Sequence, residues 1–226
     1  MKYIIYLLII FYFSCNNVLK KDGGKIHQSL FLKNNNDSLN TIFRRLDKLV
    51  ALGDFNGDGK IDTLLQNNIN SETKVPIDSI PDIPFDSLQR YFDRLGSEVI
   101  LNTSYSPNDT LKLGSGEGLF CLINIGDINN DKKDEIALVV DNCSFSNVVQ
   151  CQIYTQCKNK WVELKCFNIH RSTFDYTNNK IVEFKEILGF LEYRNDKWMY
   201  IDYLDWYNAE TEKDKMLIPL RIKKGC

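Results

Sequence analysis

A stretch near residue 53 carries oxygen-bearing side chains at alternate positions, which is chemistry suited to a hard cation. Calcium takes six to eight oxygen ligands, and a loop curled round the ion supplies them at every second residue. Gly59 stands where such a loop must turn sharply with a positive φ angle. A plain turn without metal is the alternative, since Asn, Asp and Gly are common in turns. The ligands predicted at loop positions 1, 3, 5, 7 and 9, with a backbone carbonyl at position 7, are Asp54, Asn56, Asp58, Lys60 and Asp62.

The same spacing returns in the segment 126–136. This second copy differs at position 6, where Lys132 takes the place of the glycine. Because a positive φ angle costs a non-glycine residue about 1 kcal/mol, we expect weaker binding or an altered turn in the second loop. Asp134 could replace or assist the ligand at position 9. The ligands predicted at the same five positions are Asp127, Asn129, Asp131, Lys133 and Glu135.

Neither loop is an EF-hand, because that motif requires a bidentate Glu at position 12 and the first loop has Leu65 there. Short apolar stretches flank each loop, and they predict the strands of a β-hairpin rather than two helices. The phrase Gly-Asp-Phe-Asn-Gly-Asp-Gly-Lys-Ile-Asp at 53–62 closely resembles the FG-GAP and VCBS repeats of integrin-like propellers and of many exported bacterial proteins.

This resemblance implies Ca²⁺ as the bound ion and a mainly β fold. The chain has room for only a few blades, so we expect antiparallel, propeller-blade-like meanders with one or two short helices and not a complete seven-bladed propeller. The pairing of one early and one late loop also resembles small exported lipoproteins of Bacteroidetes-type bacteria. That second resemblance implies no particular activity.

The chain begins with Met and Lys, and an apolar run of signal-peptide length follows. The run, residues 3–13, is too short to span a membrane as a helix. Cys15 follows a small residue and resembles the lipidated cysteine of a bacterial lipobox, although an ordinary signal peptide with a chance cysteine is the alternative. The predicted segments are a lipoprotein signal peptide at 1–14, a flexible tether at 15–24 and a single β-rich domain at 25–226. Lipid on Cys15 implies export and anchoring to a bacterial membrane, on the periplasmic side or the cell surface.

Composition favours a folded, β-rich domain. Hydrophobic residues make up 43% of the chain and aromatic residues 12%, which suits a packed core. A net charge of −2 excludes the basic field that nucleic-acid binding would need. Apolar residues at three- and four-residue spacings predict a helix over 39–49, and a second short helix is predicted over 85–96.

Six cysteines follow Cys15, and export would place them where disulfides persist. Residues 148–156 and 161–169 predict a hairpin that turns at 158–159. Pairing across that centre sets Cys151 opposite Cys166, so we predict a disulfide between them. Free buried thiols are the alternative.

No catalytic motif is recognisable in the sequence, which favours a binding role over an enzyme. Aromatic residues between 174 and 207 could stack on sugars, with core packing as the alternative. The leading hypothesis is therefore a calcium-stabilised, membrane-anchored module that binds a glycan or protein partner. Two alternatives stay open: a structural or protective, immunity-type lipoprotein, and a hydrolase of an extracytoplasmic polymer whose acid and base could come from Asp202, Asp205 and Glu210.

Overall fold

The structure, a computed structural model, describes residues 42–106, 109–174 and 184–222. The chain divides into two units after Asn40, and all described residues belong to the second unit. The predicted signal peptide, tether and lipidation site at Cys15 therefore lie outside the described residues. Among the described helices, none has the length and apolarity needed to cross a membrane.

The described residues form mainly antiparallel β-structure with two short α-helices. The first half contains β1 (Phe43–Arg45), β2 (Val50–Gly53), β3 (Asp62–Asn70), β4 (Ser79–Pro81), α1 (Phe85–Leu95), β5 (Ser97–Thr103) and β6 (Leu111–Lys112). The second half contains β7 (Gly118–Gly126), β8 (Glu135–Asp141), β9 (Val148–Cys157), β10 (Lys160–His170), a 3₁₀ turn (Arg171–Phe174), β11 (Leu191–Arg194), β12 (Lys197–Tyr200), α2 (Tyr203–Tyr207) and β13 (Ile218–Pro219). The predicted mainly β fold is confirmed, and this part of the chain forms no complete propeller.

Two four-stranded antiparallel sheets form the frame of the molecule. The strand order is β2-β3-β5-β6 in the first sheet and β7-β8-β9-β10 in the second. The β2–β3 hairpin and the β7–β8 hairpin are each closed by one of the two predicted calcium loops. Each loop is therefore held at both ends by paired strands. Smaller sheets join β1 with β4 and β12 with β11 and β13.

Strand β8 shows how the two frame sheets share a core. Its first five residues are all buried, so both of its faces are covered. Because successive side chains point to opposite faces, Ala137 and Val139 enter one apolar cluster, while Ile136 and Leu138 enter another. The second cluster also contains Leu64 from the first sheet. Burying one such leucine is worth about 1.5–3 kcal/mol, so this cluster holds the two loop-bearing hairpins together.

The helix predicted over 39–49 is wrong for its described part, residues 42–49. Those residues contain the short strand β1, which pairs with β4, and the Leu46 N–H donates to the Asp78 carbonyl at 2.9 Å. Leu46 and Leu49 are nevertheless buried. The apolar spacing thus marks an extended segment with two core contacts, and tertiary pairing overrides the local helical pattern.

The helix predicted over 85–96 is confirmed as α1. Leu88 and Phe92 lie one turn apart on its buried face. The helix ends where Gly96 takes a φ angle of 64°, and the Gly96 N–H bonds the carbonyls of Phe92 and Asp93. A left-handed residue at this position is the usual way to satisfy the last carbonyls of a helix.

The predicted Cys151–Cys166 disulfide is wrong, although the hairpin that suggested it is confirmed as β9 and β10. A β-bulge between Glu163 and Lys165 shifts the register, so Cys166 lies opposite Gln152 rather than Cys151. Since neighbouring strand positions face opposite sides of a sheet, the two thiols point to different faces. Both cysteines are free.

Candidate metal-binding loops

Asp54, at position 1 of the first loop, organises the backbone that follows it. Its Oδ1 atom accepts hydrogen bonds from the N–H groups of Gly57 at 2.8 Å and Asp58 at 3.0 Å. Its Oδ2 atom accepts from the Gly59 N–H at 2.9 Å. Asp58 repeats the device two residues further on, because its Oδ1 accepts from the Lys60 N–H at 2.9 Å. These bonds curl the loop around its own acidic side chains.

The second loop has the corresponding bonds at the corresponding positions. Asp127 accepts from the Asp131 N–H at 3.0 Å through Oδ1 and from the Lys132 N–H at 2.9 Å through Oδ2. Asp131 then accepts from the Lys133 N–H at 3.0 Å. Two segments far apart in sequence thus fold into the same turn, which indicates that the spacing of the acidic residues determines the loop conformation.

Positive φ angles also match between the loops. At position 6, Gly59 has φ 81° and Lys132 has φ 73°. At position 4, Gly57 has φ 80° and Asn130 has φ 60°. The lysine at position 6 therefore keeps the turn rather than altering it, at a conformational cost of about 1 kcal/mol. The sequence analysis did not predict the positive φ angle at position 4. The signal for it was the presence of Gly in one loop and Asn in the other, since these two residues take this conformation most readily.

The carboxylates at position 9 lie beneath the loops as braces. Asp62 is 5% exposed and accepts backbone hydrogen bonds from Phe55 and Asn56. Glu135 is fully buried, and its Oε2 accepts from the N–H groups of Ile128 at 2.9 Å and Asn129 at 3.3 Å. In both loops the residue at position 9 therefore binds the amides at positions 2 and 3.

The second oxygen distinguishes these two braces. Oε1 of Glu135 accepts from Thr155 Oγ1 and from Asn129 Nδ2, both at 2.8 Å, so Glu135 is fully engaged by the protein. Oδ2 of Asp62 is buried and has no hydrogen-bond partner among the residues that the structure describes. Asn129 Oδ1 in the second loop is likewise buried, with no hydrogen-bond partner in the described part of the chain. In the described residues, each loop thus holds one buried side-chain oxygen without a hydrogen-bond partner.

The electrostatics of the loops disfavour further negative charge. Burial raises the pKa of Asp62 above its ordinary value, and the nearby charges of Asp58 and Asp54 raise it further, against the opposing effect of the backbone hydrogen bonds. Burial also raises the pKa of Glu135 to about 7, although the bond from Thr155 opposes the shift. A cation within either loop would relieve this cost.

The donor set fits a hard cation. Each predicted ligand offers oxygen, and a carboxylate oxygen that accepts one amide hydrogen bond retains a second lone pair. The orphaned oxygens of Asp62 and Asn129 point to the same conclusion. In the described ranges, however, no three His, Cys, Asp or Glu side chains converge as a ready metal cluster. The acidic side chains instead bind backbone amides of the loops. The asparagine side chain at position 3 and the backbone carbonyl at position 7 would therefore complete the ligand set of a cation.

The Lys60 ammonium lies near the predicted ligand at position 5 of its loop, whereas the Lys133 ammonium bonds a backbone carbonyl outside its loop. Lys60 Nζ is 3.8 Å from Asp58 Oδ2, and the Lys60 side chain is 82% exposed. Lys133 Nζ donates to the Gln156 carbonyl at 2.8 Å. Both residues are thus compatible with the predicted contribution of a backbone carbonyl.

The sequence allowed Asp134 to replace or assist Glu135, but the Asp134 side chain has other partners in the structure. Its Oδ2 atom instead accepts from the Asp54 N–H at 3.0 Å and from Asn124 Nδ2 at 2.9 Å. Its side chain therefore faces the first loop. This contact was not visible in the sequence, because it joins two hairpins that are distant along the chain.

A second feature is an open cleft of about 570 Å³ beside α2. Its walls include the rings of Phe190, Tyr203 and Trp206 and the polar side chains of His170 and Ser172. The Tyr203 and Trp206 rings stack at 5.8 Å between centroids, and Trp206 is 39% exposed. His170 Nδ1 lies 2.6 Å from Ser172 Oγ. The cleft thus combines an exposed aromatic face with hydrogen-bonding groups.

Asp202, considered above as a candidate acid or base, caps the start of α2. Its Oδ1 accepts from the Leu204 N–H at 2.9 Å, and its Oδ2 accepts from the Asn168 N–H at 2.9 Å. These bonds give the Asp202 carboxylate a structural role between α2 and β10.

Comparisons with protein-family models, with curated proteins and with solved structures find no match for this chain.

Proposed function

We propose that this protein is a calcium-binding extracytoplasmic module whose two loops are completed by the ion. The observation that carries the proposal is the repeated hydrogen-bond pattern, in which the acidic residues at positions 1 and 5 organise both loops in the same way. An uncharged turn would not require such a set. The first loop would hold calcium through the side chains at positions 1, 3, 5 and 9 and the position-7 carbonyl: Asp54, Asn56, Asp58, Asp62 and Lys60.

The second loop would use the side chains of Asp127, Asn129 and Asp131 with the Lys133 carbonyl. Glu135 would act there mainly as a brace, because both of its oxygens already accept two hydrogen bonds. The strained lysine at position 6 adds to this difference. The first loop is therefore the stronger of the two sites.

Calorimetric titration of the full chain with calcium tests the proposal directly. We expect binding in the range of extracellular modules, with Kd about 10⁻⁴ to 10⁻³ M. Asp58→Asn should weaken the stronger event, whereas Glu72→Gln, an exposed acid outside both loops, should change neither. Absence of heat, together with no calcium-dependent shift in amide NMR signals of either loop, would refute the proposal.

We also propose that the mature chain is anchored through lipid on Cys15. The charged start, the apolar run at 3–13 and the small residue before the cysteine support this, and two or three acyl chains suffice for stable anchoring. Cys15→Ala should move the protein from the detergent phase to the aqueous phase in a partition assay. A mutant that partitions like the parent would contradict lipidation.

For the partner, we propose a glycan that binds in the cleft beside α2. Aromatic faces stack on sugar rings, and the His170–Ser172 pair offers hydrogen bonds to hydroxyl groups. Its volume of about 570 Å³ lies within the usual range of small-molecule sites. Glycan-array binding should be lost in Trp206→Ala and retained in Phe145→Ala, an exposed aromatic residue that does not line the cleft. Equal binding by both variants would exclude this cleft as the site.

A further inference from the structure

The two loops touch through a pair of hydrogen bonds that fix the backbone of Asp54. The Asp134 N–H donates to the Asp54 carbonyl at 2.9 Å, and the Asp54 N–H donates to Asp134 Oδ2 at 3.0 Å. Asp54 is the first predicted ligand of the first loop, whereas Asp134 is position 8 of the second loop. A residue of one loop thus holds the principal ligand of the other in place.

Asn124, in β7, completes this contact from the side. Its Nδ2 atom donates to the Leu52 carbonyl at 2.8 Å and to Asp134 Oδ2 at 2.9 Å. Its Oδ1 atom accepts from the Gly126 N–H at 2.7 Å, where β7 enters the second loop. One amide side chain therefore binds the strand before the first loop, the end of the second loop and the start of the second loop.

Close packing leaves little room for independent movement at the contact. A methyl group on Gly53 would collide with the Asn124 amide nitrogen and lie 2.6 Å from Asp134 Oδ2. A methyl group on Gly57 would lie 3.0 Å from Cγ of Lys133 and 3.3 Å from the Lys132 carbonyl oxygen. The loops are thus in contact at their base and again near the tip.

We propose that Asp134 and Asn124 are positioning residues that couple the two loops, so that ordering of one loop orders the other. Calcium in either loop would order the contact between Asp134 and Asp54, so that the other loop would need less ordering to bind its own ion. A second binding event that meets an already ordered site requires less ordering, which gives positive cooperativity. The calcium part of this inference depends on the proposed function; the coupling of the loops does not.

The calcium-independent test is hydrogen exchange in chelator, measured by NMR on the full chain. The amides of Gly57, Asp58 and Gly59 report on the first loop, because they bind the Asp54 carboxylate. Asp134→Ala should accelerate their exchange several-fold although it lies in the other loop. Asp134→Asn, which keeps an acceptor oxygen and the side-chain shape, should largely restore the slow exchange. Unchanged exchange in Asp134→Ala would overturn the coupling.

The calcium test compares the affinity of the first loop with the second loop intact and disabled. Asp131→Ala removes a ligand of the second loop only, and we expect it to weaken binding at the first loop about fivefold or more. In an Asn124→Ala or Asp134→Ala background, Asp131→Ala should weaken binding at the first loop less than it does in the parent. Equal, additive effects in both backgrounds would show that the loops bind independently.

The two proposals fail in different ways. If calcium does not bind at all but Asp134→Ala still accelerates exchange at the first loop, the proposed function fails and the coupling stands. If calcium binds in two independent steps and exchange is unchanged, the coupling is wrong and the function stands. Melting curves of each variant in chelator identify any loss of the overall fold, and Asp134→Asn then decides between the outcomes.

Discussion

Replacing Gly59 with alanine isolates the conformational requirement of the first loop. Gly59 has φ 81°, and a methyl group there would meet no atom within 4 Å, so the substitution adds strain without a collision. The left-handed conformation costs a non-glycine residue about 1–2 kcal/mol, while the loss of glycine's freedom in the unfolded chain returns about 0.4–1 kcal/mol. We therefore expect Gly59→Ala to lower the free energy of unfolding by roughly 1 kcal/mol.

Thermal unfolding in chelator measures this effect without the contribution of an ion. For a domain of this size, about 1 kcal/mol corresponds to a decrease of about 2–4 °C in Tm. Gly59→Asn is the matched control, because asparagine tolerates the left-handed conformation. Asn130, at position 4 of the second loop, adopts that conformation in this protein. Its loss should be smaller. If Gly59→Ala is neutral or stabilising, the loop does not hold the positive φ angle on which its hydrogen bonds depend.

Three further outcomes follow from the packing of the loops and from the sheet register. Gly53→Ala should lower the free energy of unfolding by about 1–3 kcal/mol through overpacking. This loss should exceed that of Gly59→Ala, and the Tm values of the two variants in chelator test the order. Glu135→Gln replaces an acceptor of four hydrogen bonds and should cost about 2 kcal/mol or more in chemical denaturation, with or without calcium; a neutral result would contradict its bracing role. Cys151 and Cys166 should both be alkylated in denaturant without a reductant, and protection of either would contradict the free thiols.

The sequence predicted the features that depend on local spacing. Both hairpins, their loops and the helix ending at Gly96 depend on residues in one continuous segment of the chain, so the pattern of oxygen-bearing, apolar and glycine residues was sufficient. The helix predicted over 39–49 failed because its apolar positions serve an extended segment that pairs with a strand more than thirty residues later.

Register and contacts between hairpins could not be predicted in the same way. The disulfide prediction failed on one bulged residue in β10, which moved Cys166 to the other face of the sheet. The position of Asp134 against Asp54 depends on how two sheets pack through their shared core, and no local pattern encodes it. The unpartnered Oδ2 of Asp62 likewise depends on which groups surround it in the described fold, and the spacing of the loop residues does not encode this.

If calcium completes both loops, the melting temperatures of the parent, Asp58→Ala and Asp131→Ala should differ between calcium and chelator. With about 2 mM calcium and a Kd of about 0.1 mM, one site adds about 1.8 kcal/mol by mass action, or about 4–7 °C in Tm. We expect calcium to raise the parent Tm, Asp58→Ala to lose more of this increase than Asp131→Ala, and the Tm values of the two mutants to converge in chelator. Identical Tm values for the parent in calcium and in chelator would contradict this expectation.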